Sequence, residues 1–130
     1  MKKELTISVL KGKTLKNLEN IDCERLIFTT TTGERYELYH DQDCCESVTI
    51  EDVCGNLKDL IGSPILMAEE VTSEENPPGI KKNYQDSFTW TFYKFVTTKG
   101  YVTIRWYGES NGYYSESVDF RKGVNAVQNS

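Results

Sequence analysis

Apolar and polar residues alternate with period two over much of the chain, which is the pattern of half-buried strands. LTISVL (Leu5 to Leu10) alternates in this way and predicts a short strand. KGKTLKNLEN predicts a loop with at most one helical turn. ERLIFTTTT (Glu24 to Thr32) and ERYELYHD (Glu34 to Asp41) flank Gly33, and both are rich in β-branched or aromatic residues. They predict a hairpin turning at Thr32-Gly33. Val48 to Ile50 reads as a brief strand, after which the period changes. Val53, Leu57, Leu60 and Ile61 fall at helical spacing. Ser47 or Thr49 serves as cap, Glu51 and Asp52 suit the positive helix start, and Gly62 with Pro64 stops the helix. Gly55 inside the segment counts against it. PILMAEEV (Pro64 to Val71) reads as another strand, and Thr72 to Asp86, with its Pro-Pro-Gly, reads as a solvated loop.

The last third is the most regular. SFTWTFYKFVTT, Lys99-Gly100, YVTIRWYGES, Asn111-Gly112 and YYSESVDF follow one another. Asn-Gly between two such runs is a strong hairpin signal. The expectation is a three-stranded antiparallel meander. The fold class is therefore α+β, mainly antiparallel sheet with that meander and one short helix. A single domain spans 1–120, and 121–130 reads as a flexible tail.

Turn geometry fixes register, and register fixes faces. With two-residue turns, Thr98 pairs with Tyr101 and Ser110 with Tyr113. One face then collects Tyr93, Phe95, Val102, Ile104, Trp106 and Tyr113. The other collects Trp90, Phe92, Lys94, Tyr101, Arg105, Tyr107, Glu109, Tyr114 and Glu116, with Lys94 opposite Arg105. Flat rings beside cations and carboxylates suit a nucleobase-and-phosphate ligand. The candidate ligand-binding residues are Trp90, Tyr93, Lys94, Arg105, Tyr107, Asn111, Tyr113, Tyr114 and Glu116, with His40 and Asp43 contributing from a neighbouring strand end. Aromatics would stack, Lys94 and Arg105 would pair with phosphate, and Asn111 and Glu116 would read hydroxyls or base edges. A salt-bridge cluster capping an aromatic sheet is the competing explanation.

HDQDCCE (His40 to Glu46) gathers the only histidine, three carboxylates and two adjacent thiols. His40, Cys44 and Cys45 with Cys54 or Cys23 would supply zinc ligands, but neighbouring residues of an extended chain point to opposite faces and no Cys-x2-Cys is present. A Cys-His hydrolase on His40, Cys44 and Glu46 has the right residue types, yet nearby carboxylates raise a thiol's pKa and oppose its activation. Asp41, Asp43 and Glu46 lack the spacing of a calcium loop. The favoured reading is structural, with one cysteine buried and His40 and the carboxylates bonding backbone. No cofactor or metal is expected.

Composition narrows the partners. With 130 residues there is room for one core. A net charge of −5 and a pI near 4.9 argue against duplex nucleic acid, whose phosphates demand a basic surface. No apolar run approaches a membrane span, and MKKELTISVLKGK lacks the apolar segment of a secretory signal. A cytoplasmic protein with reduced thiols is expected. Flat aromatic strands with open edges also predict self-association, such as a homodimer.

HDQDCCESVTIEDVCGNLKDLIGSPIL, SFTWTFYKFVTTKG and VTIRWYGESNGYYSESVDF together resemble a family of small bacteriophage- and prophage-encoded proteins of unknown function, over residues 24 to 120. The resemblance implies an accessory protein of the infected bacterium's cytoplasm and carries over no site residues. The functional expectation is binding rather than turnover: sequestering a small anionic, nucleotide-like ligand in a counter-defence role. The alternatives are an inhibitor that blocks a host protein, and the Cys/His hydrolase or metalloprotein.

Overall fold

A computed structural model describes residues 6–40, 46–76, 87–110 and 115–123. Two antiparallel four-stranded sheets pack face to face. The strands are β1 (Leu15–Ile21), β2 (Arg25–Thr30), β3 (Arg35–Tyr39), β4 (Ser47–Cys54), β5 (Met67–Ser73), β6 (Ser87–Thr97), β7 (Gly100–Ser110) and β8 (Asp119–Gly123). The first sheet has the order β1-β2-β3-β8 and the second β4-β7-β6-β5. Leu26, Phe28, Tyr36 and Leu38 of the first meet Tyr93, Phe95, Ile104 and Trp106 of the second in one core. The Phe28 and Phe95 rings lie 5.9 Å apart across the interface. Each such side chain contributes about 1.5–3 kcal/mol on leaving water. Among the described residues no helix is long and apolar enough to cross a membrane.

The α+β expectation is corrected to a mainly β architecture. Among the described residues the only helical pieces are two 3-10 turns, Ile7–Leu10 and Leu57–Leu60. The expected helix over 51–61 is instead the end of β4 followed by the second of these turns. The pairing of β4 with β7 shifts between Ile50 and Asp52. That bulge inserts one residue, so Val53 faces the same side as Val48 and Ile50, and a strand imitates helical spacing. Gly55, at φ 100°, ends the strand; a Cβ there would stand 2.6 Å from the Tyr101 carbonyl. The expected strand over 5–10 is the first 3-10 turn, which buries Ile7 and Leu10 three positions apart. The expected loop over 11–20 contains β1, a largely polar edge strand with only Leu15 fully buried.

Two of the three anticipated hairpins are present, one with a displaced turn. β2 and β3 close around Gly33. β6 and β7 pair Thr97 with Gly100, so the turn residues are Thr98 and Lys99 rather than Lys99 and Gly100. Moving a turn by one residue shifts the pairing by two, so the faces keep their members while the partners change. Phe92, not Lys94, stands opposite Arg105. The meander's third strand is also corrected. β8 leaves the second sheet and pairs with β3 of the first, running on through Arg121 to Gly123. Phe120 is drawn there by a ring stack on Tyr36 (5.6 Å) and an edge contact with Phe28 (6.5 Å). The crossing segment passes so close to β7 that a Cβ on Gly108 would lie 2.5 Å from the Glu116 carbonyl.

Candidate functional site

The outer face of the second sheet carries Trp90, Phe92 and Lys94 from β6, and Arg105 and Tyr107 from β7. Trp90 is fully buried beneath its neighbours. Its indole N–H donates to Asn76 Oδ1 at 3.0 Å, and its ring centre lies 4.5 Å from that of Tyr107. The Arg105 guanidinium rests 5.2 Å from the Trp90 ring, with Asp52 Oδ2 at 3.8 Å. Lys94 stands in register with Glu69 of β5. Each of these cations therefore has a carboxylate nearby, which offsets part of the field an incoming anion would meet. Phe92, Tyr101, Thr103, Cys54, Asp52 and Arg105 line a shallow groove of about 300 Å³ on this face.

Two of the expected ligand residues sit on the inner side instead. Tyr93 is buried in the core and donates its hydroxyl hydrogen to Glu70 Oε2 at 2.6 Å. Burial, then the Glu70 hydrogen bond, pushes the Tyr93 hydroxyl far above its ordinary 10.0. The Glu116 carboxylate accepts from Thr89 Oγ1 (2.9 Å) and Ser110 Oγ (2.6 Å), tying the crossing segment to the second sheet. Asn111, Tyr113, Tyr114 and Asp43 lie outside the described residues, as do Cys44 and Cys45.

His40 is buried just beyond the end of β3. The Ser117 carbonyl can only accept, so Nδ1 carries a hydrogen across that 2.8 Å contact. Nε2 meets Glu46 Oε2 at 2.9 Å, and one hydrogen lies between ring and carboxyl. The contacts join β3, the start of β4 and the segment leading to β8. Among the described residues no group of three or more His, Cys, Asp and Glu side chains is placed to hold a metal. Cys23 and Cys54 are exposed free thiols.

The outer face of the first sheet is charged differently. Glu37 sits at its centre, only 5% exposed. Arg25 Nε donates to Glu37 Oε2, one register row away. Arg121, directly opposite Glu37 on β8, donates from Nε to Oε1 at 2.9 Å, with Nη2 at 2.8 Å from the same oxygen. The Arg121 guanidinium also covers the Tyr39 ring at 4.2 Å. Its bond to Glu37 raises the guanidinium pKa, so Arg121 stays charged. Arg35 and Lys122 complete the rim of a groove of about 400 Å³. Lys122 shares Glu34 with Lys13, at 3.5 Å and 3.0 Å. Arg35 has no ion pair or side-chain hydrogen bond among the described residues. The lining sets four cations against one carboxylate, in a chain whose net charge is −5.

None of the five charged residues of this groove was singled out from the sequence. The turn over 31–33 pairs Arg25 with Tyr39 and Ile27 with Glu37, so Arg25 and Ile27 share a face with Arg35, Glu37 and Tyr39, whereas a two-residue turn at Thr32-Gly33 would separate them. The missing piece is β8, which brings Arg121 across more than eighty positions into the same row.

These features define a small β-sandwich with two charged outer faces, one balanced and one basic. The chain belongs to the DUF7448 family, a domain of unknown function whose model matches residues 8–120. No curated protein and no solved structure matches the chain.

Proposed function

We propose that the protein acts by binding a small anionic ligand of nucleotide type, and that Arg25, Arg35, Arg121 and Lys122 hold it. The observation that carries this reading is a groove of about 400 Å³ that sets three arginines against one carboxylate, with Lys122 at its edge beside Glu34. Guanidinium groups suit phosphate oxygens because their N–H donors are planar, forked and permanently charged. The expected site on the second sheet has the aromatic rings but lacks the surplus charge, since Asp52 and Glu69 stand beside Arg105 and Lys94. In the phage-type setting that the sequence resembles, such a protein would serve as a cytoplasmic sink for a phosphate-bearing signal of host defence. A second reading, a blocker of a host protein, draws support from Val71 and Tyr101, 42% and 53% exposed beside Phe92.

Thermal denaturation with added pyrophosphate, at constant ionic strength, tests the first reading. Wild type should gain several degrees, Arg35→Ala should gain almost nothing, and Arg105→Ala should behave like wild type. A gain lost with Arg105→Ala and kept with Arg35→Ala would return the site to the second sheet.

A further inference from the structure

We infer that Glu37 is the positioning residue of the basic groove, and that the group it prepares for is a tetrahedral phosphate-type dianion rather than a nucleobase. This rests on the reading that the groove binds an anion, and goes further by assigning what is recognised and how.

Glu37 is an acid at the floor of a cationic groove, and its two oxygens are divided between two arginines. Oε2 takes Arg25 and Oε1 takes Arg121. Both arginines are gripped by their inner edges, while their side chains remain 48% and 56% exposed. Arg25 meets Glu37 through Nε, and Arg121 meets it through Nε and Nη2, which leaves the outer Nη groups of both on the groove side. Two like charges this close would splay apart without an anion between them. Glu37 holds them side by side, with the Tyr39 ring fixing the plane of Arg121. Freezing long side chains before the ligand arrives removes an ordering cost that binding would otherwise carry. Arg35 supplies a third, unengaged guanidinium at the rim.

The same lining argues against base recognition. The aromatic ring in the groove wall belongs to Tyr36, which is 3% exposed and already stacked on Phe120. Ile27 is 8% exposed. Among the residues lining the groove no ring face is open for stacking, so recognition runs through oxygens and charge. Because Glu37 offsets part of the positive charge, a monoanion gains much less than a dianion.

Calorimetric titration separates this inference from the one beneath it. The probes are pyrophosphate, inorganic phosphate, acetate, adenosine diphosphate and adenosine, applied to wild type, Glu37→Gln and Glu37→Asp, with circular dichroism to confirm folding. Wild type should bind pyrophosphate and adenosine diphosphate alike, phosphate more weakly, and neither acetate nor adenosine. Glu37→Gln adds a positive charge, so by charge alone it would bind pyrophosphate more tightly. Loss of positioning predicts the opposite, a weakening of about tenfold or more. Glu37→Asp keeps the charge, shortens the reach and should also weaken binding, which decides the matter if the Gln variant fails to fold. Equal or tighter binding by the folded Glu37 variants overturns the positioning role while leaving the groove as the site. Binding of adenosine overturns the phosphate assignment. Failure of every probe on wild type overturns the groove reading itself.

Discussion

The two outer faces of the sandwich use the same ingredients and arrive at different surfaces. Each lays an arginine over an aromatic ring: Arg105 over Trp90 at 5.2 Å, and Arg121 over Tyr39 at 4.2 Å. On the second sheet Arg105 has Asp52 at 3.8 Å, and Lys94 stands in register with Glu69. On the first sheet one carboxylate serves two arginines while Arg35 waits unengaged. Rings and cations on one face do not by themselves make an anion site. The count of charges does, because every matched carboxylate withdraws field that a ligand would otherwise feel.

The contrast is broken most forcefully at Trp90. Trp90→Ala empties a fully buried site and should cost about 3–5 kcal/mol in urea denaturation. The remaining folded protein should keep its response to pyrophosphate, because Trp90 supports the balanced face.

Next in size is an alkaline effect centred on Tyr93. Its folded pKa is raised above the ordinary 10.0, so the fold favours the protonated hydroxyl. That stability is fully present below pH 10 and is lost as pH rises further, when the unfolded chain releases a proton that the native state retains. The slope is about 1.4 kcal/mol per pH unit for one proton. Tyr93→Phe should lose about 1 kcal/mol at neutral pH with the Glu70 bond, and its stability should fall less steeply above pH 10 than that of wild type. Equal alkaline slopes in the two proteins would contradict the assignment.

Smaller effects sharpen the comparison directly. Arg105→Ala should cost about 0.5–1 kcal/mol of stability through its contact with Trp90 and leave anion affinity unchanged. Arg35→Ala should stay within about 0.5 kcal/mol of wild type in stability, since its partners are solvent. Its affinity for pyrophosphate should nevertheless fall by about tenfold. Acid acts in the same region. Lys13 and Lys122 hold the Glu34 carboxyl below its ordinary 4.5, so their contribution is present above pH 4.5 and fades as pH falls further. Glu34→Gln should flatten that acid limb slightly.

Alternation carried much of this fold, and its failures have local causes. The β2–β3 and β6–β7 hairpins follow from period two, and the inner face of Tyr93, Phe95, Val102, Ile104 and Trp106 follows from the same parity. β1 escaped notice because LKNLENI is polar on both sides, and its turn into β2 carries no glycine. Asp22 and Cys23 take positive φ there, 54° and 59°, with the Asn20 side chain accepting from the Cys23 N–H at 3.0 Å. β4 resembled a helix because one bulged residue breaks the period. β8 was misplaced because YYSESVDF alternates well, yet a local pattern cannot say which sheet a strand joins. Phe120 settles that by packing against Phe28 and Tyr36. Of the expected site, Trp90, Arg105 and Tyr107 do share a surface, with Lys94 one row away. Tyr93 and Glu116 turn inward, and His40 is held by Ser117 and Glu46 at the seam. The basic groove stayed hidden because its charges come from three strands whose order only the folded chain reveals.

The most direct test follows backbone amide resonances of the isotopically labelled protein during titration with pyrophosphate. The expected result is a saturating set of shifts at Arg25, Arg35, Tyr36, Glu37, Arg121 and Lys122, with Lys94, Arg105 and Tyr107 unmoved. Shifts centred on Lys94 and Arg105, or none on either face, would contradict the assignment of the anion site to the first sheet.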